Sequence, residues 1–212
     1  MVDALLETAV GRALLAFWED LPLWVVADVA LAASLLPTIL AWFWGSALLA
    51  IVLSLPVTFV VAGMAKALTE PIHKRKPRWR DFLGANYIVA VSVWVLLAMI
   101  AGSFLIPVPA PVFVVQCAVA AAALMLAPFV LCVAALWPAN LRLTWRNAFV
   151  LAVCHPMVSL GLLALAALLG WLVVMSNGVL FLVAPALWVS IAVHSVHEVA
   201  RLHCMVETEP RA

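Results

Sequence analysis

The sequence predicts an all-α membrane protein, a bundle of six transmembrane helices with both termini on the cytoplasmic side. Three observations carry this. Of 212 residues, 68% are apolar and only 10% charged, with a mean hydropathy of +1.23; soluble domains are nearer half apolar and a quarter charged. The charges also leave three long gaps: 37 residues between Asp28 and Lys66, 60 between Asp81 and Arg142, and 51 between Arg146 and Glu198 carry no Asp, Glu, Lys or Arg. Finally, every Lys and Arg falls on one side of the spans drawn below. The same composition excludes a disordered chain, a secreted disulfide scaffold and a nucleic-acid binder, and the net charge of +1 offers no basic surface for the last of these.

Residues 1–20 read as an amphipathic helix at the membrane interface. Leu6, Val10, Ala13, Leu14 and Phe17 form one stripe, with Asp3, Glu7 and Arg12 off it. The acidic residues make it a poor anchor for anionic lipid, so packing against the bundle is its expected role. Asp3 and Glu7 ahead of any basic residue also argue against a cleaved signal peptide.

The transmembrane domain spans residues 21–201. A hydrocarbon layer about 30 Å thick takes roughly 20 helical residues, so each charge-free gap holds two spans and a tight turn. Gly45-Ser46, the run from Pro107 to Pro111, and Ser176-Asn177-Gly178 supply the turns. The spans are then about 22–44, 46–67, 84–106, 111–137, 149–175 and 178–200. Arg12, the basic loop 66–83 with Lys74, Arg75, Lys76, Arg78 and Arg80, then Arg142, Arg146, Arg201 and Arg211 all lie on one side. The positive-inside rule makes that side cytoplasmic, together with the tail 202–212. The basic loop and Arg142 and Arg146 set this topology and are suited to anionic lipid headgroups.

A weak repeat runs through the chain. Trp18-Glu19-Asp20, Trp79-Arg80-Asp81 and Trp145-Arg146-Asn147 stand before the odd-numbered spans, and Pro56, Pro128 and Pro185 interrupt the even-numbered ones. Three parallel helical hairpins result, with the Trp rings at the interface, the Asp or Asn as helix caps, and the prolines tolerated because neighbouring helices satisfy the freed carbonyls.

Residues 46–200 resemble the YesL-like family of bacterial integral membrane proteins. The resemblance is carried by Ser54-Leu55-Pro56-Val57-Thr58, the small residues Ala62-Gly63-Met64-Ala65 and Trp79-Arg80-Asp81-Phe82. In the second half it is carried by Ala127-Pro128-Phe129 and by Leu143 to Phe149 running into Cys154-His155-Pro156. It implies a polytopic inner-membrane protein accessory to carbohydrate uptake, and it carries over no catalytic residues.

Few side chains offer chemistry. Asp28 is the one carboxyl group inside a span; a structural hydrogen bond or ion pair is its expected role, and a proton or cation site in a small transporter or channel with the Pro-bearing helices is the alternative. His194, His197, Glu198 and Arg201 form an i, i+3, i+4, i+7 stripe, read as a solvated helix end in preference to a zinc site, since the His-Glu-x-x-His order is missing. His155 and His194 lie on adjacent spans with a depth mismatch of about 6 Å, so that a haem or pigment could be ligated there only with tilt; a kink at Pro156 is the simpler role. Cys117, Cys132, Cys154 and Cys204 read as small core residues with no disulfide framework. No nucleophile elbow, phosphate loop or carboxylate pair is present in the sequence. The expectation is therefore a non-catalytic accessory or assembly subunit without a cofactor, whose partners are the bilayer and other membrane proteins and not nucleic acid.

Overall fold

The computed structural model describes residues 11, 13, 17–69, 82, 85–137, 139–176 and 178–202. The basic run 70–81 with Trp79, the tail 203–212 with Cys204, and Leu6, Val10 and Leu14 of the N-terminal stripe with Asp3, Glu7 and Arg12 beside it lie outside these residues.

Among the described residues the chain is helical and has no strand. We number the α-helices α1 Leu21–Phe43, α2 Ala47–Leu53, α3 Leu55–Ala67, α4 Tyr87–Ser103, α5 Ala110–Leu136, α6 Leu141–Cys154, α7 Pro156–Met175 and α8 Ala184–Leu202. A 3-10 turn, Val179–Leu182, precedes α8. Among the described residues four stretches are long and apolar enough to cross a membrane: Leu21–Phe43, Ala47–Ala67, Ala110–Leu136 and Pro156–Met175. Tyr87–Ser103 is apolar but has only 17 residues, and α8 carries two histidines, a glutamate and an arginine along its length.

The turns at the uncharged end form where glycine and proline dictate. After α1, Gly45 takes φ +76°, its N–H returns to Trp42 O at 3.0 Å and that of Ser46 to Ala41 O at 3.0 Å. This is a Schellman closure, which needs a residue at ease in the left-handed region. Gly178, at φ +85°, donates to Val173 O at 2.8 Å behind α7. Between α4 and α5 the Pro107-Val108-Pro109 segment stops one helix, and Gln116 Nε2 ties the next to Ser103 O at 3.2 Å.

Three of the six expected spans are not continuous helices; the sixth opens as the 3-10 turn Val179–Leu182 and becomes α-helical only at Ala184. The second divides at Ser54 because Pro56 has no N–H to continue the ladder. Trp94 Nε1 of α4 donates to Ile51 O at 3.2 Å and to Ser54 Oγ at 3.1 Å, so a neighbouring helix does serve the interrupted backbone. The fifth breaks at His155, which Pro156 forces out of the helical region to φ −127°, ψ 63°. Residues 149–154 therefore finish α6, and the long apolar helix starts only at Pro156. The repeat is also weaker than its spacing suggests. Asn147 lies within α6 and not at its start, Asp20 holds the N-cap position of α1 without a side-chain cap bond, and the capping side chain of α4 is Asn86, which accepts from Val89 N at 3.3 Å. Pro185 stands in the first turn of α8, and only Pro128 is interior to a helix of the even-numbered set.

Burial is concentrated toward the end bearing Lys66, Arg142, Arg146 and Arg201. There, residues 62–65 and 67 of α3, the last ten residues of α5 and most of α8 are buried, together with Ala13 and Phe17 of the N-terminal segment. Toward the other end, Trp42, Phe43, Trp44, Ile106, Val114, Val174 and other large apolar residues are exposed. Helix α8 runs through the middle, against α1, α3, α5 and α7.

Candidate functional site

The least apolar of the long helices is the most enclosed. Ser190, His194, Ser195 and Glu198 of α8 are all buried, which is what a polar helix in an apolar protein requires: its hydrogen-bonding groups must face protein.

At its start, α8 presents backbone N–H groups that no preceding turn can accept. Asp28, on α1, is 0% exposed, and its carboxyl group accepts from Ala186 N, at 3.0 Å to Oδ1 and 3.3 Å to Oδ2. It serves as an N-cap supplied from another helix, 158 residues away in sequence. Pro185 marks a helix start within the apolar region, and Asp28 supplies the acceptor that such a start needs. Lys66, at the end of α3, instead donates from Nζ to Ala135 O at 3.4 Å.

The register fixes the depth of this contact. Eleven residues beyond Ala186, His197 stacks on Trp137 with ring centroids 6.3 Å apart and planes at 11°. Asp28 is thus about 16 Å along α8 from the Trp137 level. In between, Ser190 Oγ donates to Ala13 O at 3.2 Å, so Ala13 packs against α8 at the polar stripe.

The stripe itself is not a solvated helix end. His194 and Glu198 are each 8% exposed, His197 is half-buried under Trp137, and only Arg201 reaches the surface. His194 Nδ1 lies 2.9 Å from Ser190 O, one turn earlier. Sequence periodicity placed these side chains on one face but could not say which neighbours cover it. Among the described residues no three His, Cys, Asp or Glu side chains come together as a metal ion would need. Two further polar atoms, Trp24 Nε1 and Ser195 Oγ, are buried with no hydrogen-bond partner among the described residues.

His155 and His194 stand closer to one level than the sequence implied. Trp188 Nε1 of α8 donates to Leu162 O of α7 at 2.9 Å, and counting back seven residues and on six brings the two histidines within about 2 Å of the same height. His155 lies at the break between α6 and α7 and makes no side-chain cap bond to α7. Neither of two apolar cavities in the bundle is lined by either histidine. Of the cysteines, Cys132 is core, whereas Cys117 and Cys154 are exposed, contrary to the expectation of small core residues throughout.

The interface residues are partly engaged. Trp145 Nε1 donates to Ser92 Oγ at 3.0 Å, binding α6 to α4, while Trp18, Arg142 and Arg146 are exposed. Above them lies the larger cavity, 530 Å³, an apolar cleft between α4, α5 and the α6–α7 junction. The smaller, 290 Å³, lies between α7 and the start of α8.

Comparison with protein-family models, with curated proteins and with solved structures gives no match to this chain.

Proposed function

We propose that the chain is a multi-pass protein of the bacterial cytoplasmic membrane, crossing it six times with both termini and the basic loop in the cytoplasm, and that it acts as a non-catalytic accessory or assembly subunit. The observation that carries the functional part is the placement of small residues. Ala118 and Ala121 of α5, and Gly161, Ala164 and Ala167 of α7, lie on exposed helix faces, and a Cβ built on Gly161 or Gly170 meets nothing within 4 Å. Such faces let another membrane helix approach closely, which is the main source of association where both helices are already in lipid.

Asp28 supports the same reading over a conduit. An intramembrane carboxyl group held by a helix N–H and enclosed on all sides is a structural strut. The resemblance to the YesL-like family suggests that the partner is a membrane component of a carbohydrate uptake system. For the topology, reporter fusions at residues 1 and 212 should both report cytoplasm and a fusion at Gly178 the opposite side.

The functional test is extraction of the tagged full chain from its native membranes in a mild detergent, compared with Gly161→Leu/Ala164→Leu. We expect the wild-type chain in a defined larger particle and the variant as a monomer in its micelle. Recovery of the wild-type chain only as a monomer overturns the assembly reading.

A further inference from the structure

We propose that the 530 Å³ cleft is a binding site for one anionic phospholipid, with an acyl chain in the cleft and the phosphodiester against Arg142 and Arg146. The inference rests on the membrane placement proposed above and not on the accessory role. The cleft is walled by Leu96 and Ile100 of α4, Ala122 and Leu126 of α5, and Phe149 and Val153 of α6. Its volume is in the range of about 300–1,000 Å³ common to ligand sites, and its lining is almost wholly apolar, the chemistry of a hydrocarbon chain.

What identifies the occupant is the continuation of one wall. Arg142, Arg146, Phe149 and Val153 follow i, i+4, i+7 and i+11 along α6, so all four project within about 60° of one another. All four are exposed, Phe149 at 57% and Val153 at 60%. One uninterrupted stripe therefore begins with two guanidinium groups and ends inside the cleft. Its length, about 16 Å from Arg142 to Val153, matches one leaflet of a hydrocarbon layer about 30 Å thick. Guanidinium groups suit phosphate oxygens because their paired N–H donors match them, and Trp145, bonded to Ser92 beside Arg146, stands where an interfacial ring belongs. A transmembrane helix of a partner would fill the cleft but would leave the two arginines without a counter-charge.

The test uses the purified full chain, delipidated in dodecyl maltoside and titrated by native mass spectrometry with dioleoyl phosphatidylglycerol or dioleoyl phosphatidylcholine. One phosphatidylglycerol should be retained about thirty-fold more tightly than phosphatidylcholine, the preference expected of two basic residues at a membrane surface. Arg142→Gln/Arg146→Gln should erase that preference, and Ala122→Phe, on an exposed position of the cleft wall, should weaken both lipids. Lys74→Gln/Arg75→Gln/Lys76→Gln should leave the preference intact. These arms sit on different elements, so one variant that fails to fold leaves the others to decide. Equal retention of the two lipids overturns the proposal, as does a preference that survives the double arginine change or disappears with the loop variant. Displacement of phosphatidylglycerol by inorganic phosphate alone would show an ion site without a chain, and a dimer abolished by Ala122→Phe would show a second copy in the cleft; either also overturns it. None of these outcomes alters the reporter-fusion result for topology.

Discussion

Removing the carboxyl group of Asp28 should destabilise the bundle in proportion to the loss of an acceptor for Ala186 N, not in proportion to the loss of charge. In Asp28→Ala the buried N–H at 3.0 Å from Oδ1 loses its partner, and leaving such a donor unsatisfied costs about 1–3 kcal/mol. The small void left by the side chain adds to this. Asp28→Asn keeps one carbonyl oxygen for the same N–H and fits the same space, so its cost should stay within about 1 kcal/mol. At about 2–4 °C per kcal/mol for a chain of this size, the midpoint should fall by about 3–12 °C for Ala and by at most about 4 °C for Asn. The assay is thermal unfolding in detergent, followed by far-UV circular dichroism at fixed lipid-to-detergent ratio. If Asn is as damaging as Ala, the charge itself is needed and a bound cation or proton replaces the cap as the explanation. If Ala is neutral, the cap contributes nothing and the reasoning fails.

Trp188→Phe removes the 2.9 Å bond from α8 to Leu162 O and should cost about 0.6–1.5 kcal/mol in the same assay, the range found for single hydrogen bonds between membrane helices. A Cβ at Gly63 would meet both the Phe82 ring and its carbonyl oxygen at 3.2 Å. Gly63→Ala should therefore be near neutral, because a gain of about 1 kcal/mol in helix propensity opposes the crowding, whereas Gly63→Leu should cost about 1–3 kcal/mol. Zinc or a chelator should leave the unfolding midpoint unchanged, since no three potential ligands converge among the described residues; a zinc-dependent rise would show that the polar face of α8 binds metal. Absorbance of the purified chain should show no band above the aromatic region, and a Soret band lost on His155→Ala would reverse that expectation.

The ends of the helices at the uncharged side were legible because they are local. Gly45, Gly178 and the Pro107–Pro109 segment each dictate a backbone conformation within a few residues, and α1 and α5 lie within a residue of the expected 22–44 and 111–137. The interruption expected as a kink at Pro156 within one span is instead a break between two helices, for a physical reason. Proline is equally compatible with a kink inside a span and with the first turn of a new helix, and only the packing of α6 against α4 through Trp145 separates the two. The chemistry of α8 was half legible. Periodicity grouped His194, His197 and Glu198 correctly, yet the cover of that face includes contacts between segments far apart in the chain, such as Trp137 on His197 and Ala13 on Ser190. The partner of Asp28 was beyond reach in the same way, because Pro185 read as an interruption within a span and not as the start of a helix in need of an acceptor.

The uneven burial has a mechanical consequence. At the basic end the bundle supplies its own core: α8 brings polar groups inside, and α1, α3, α5 and the N-terminal segment surround them, so that end can hold its shape through its own contacts. At the opposite end Trp42, Phe43, Trp44, Ile106, Val114 and Val174 are exposed, and their position depends on whatever apolar surroundings they meet. Lipid satisfies that requirement without specificity, whereas a partner helix seated on Gly161 and Ala164 would satisfy it with close packing. If the proposed association occurs, it should order the uncharged end while leaving the Asp28–Ala186 contact unchanged. Disulfide trapping distinguishes the two halves. Cysteine pairs across α1 and α8 at the basic end should cross-link equally in the isolated chain and in native membranes, while pairs across α4 and α5 near Ser103 and Gln116 should cross-link faster in native membranes. Equal rates at both ends would show that the chain packs completely on its own.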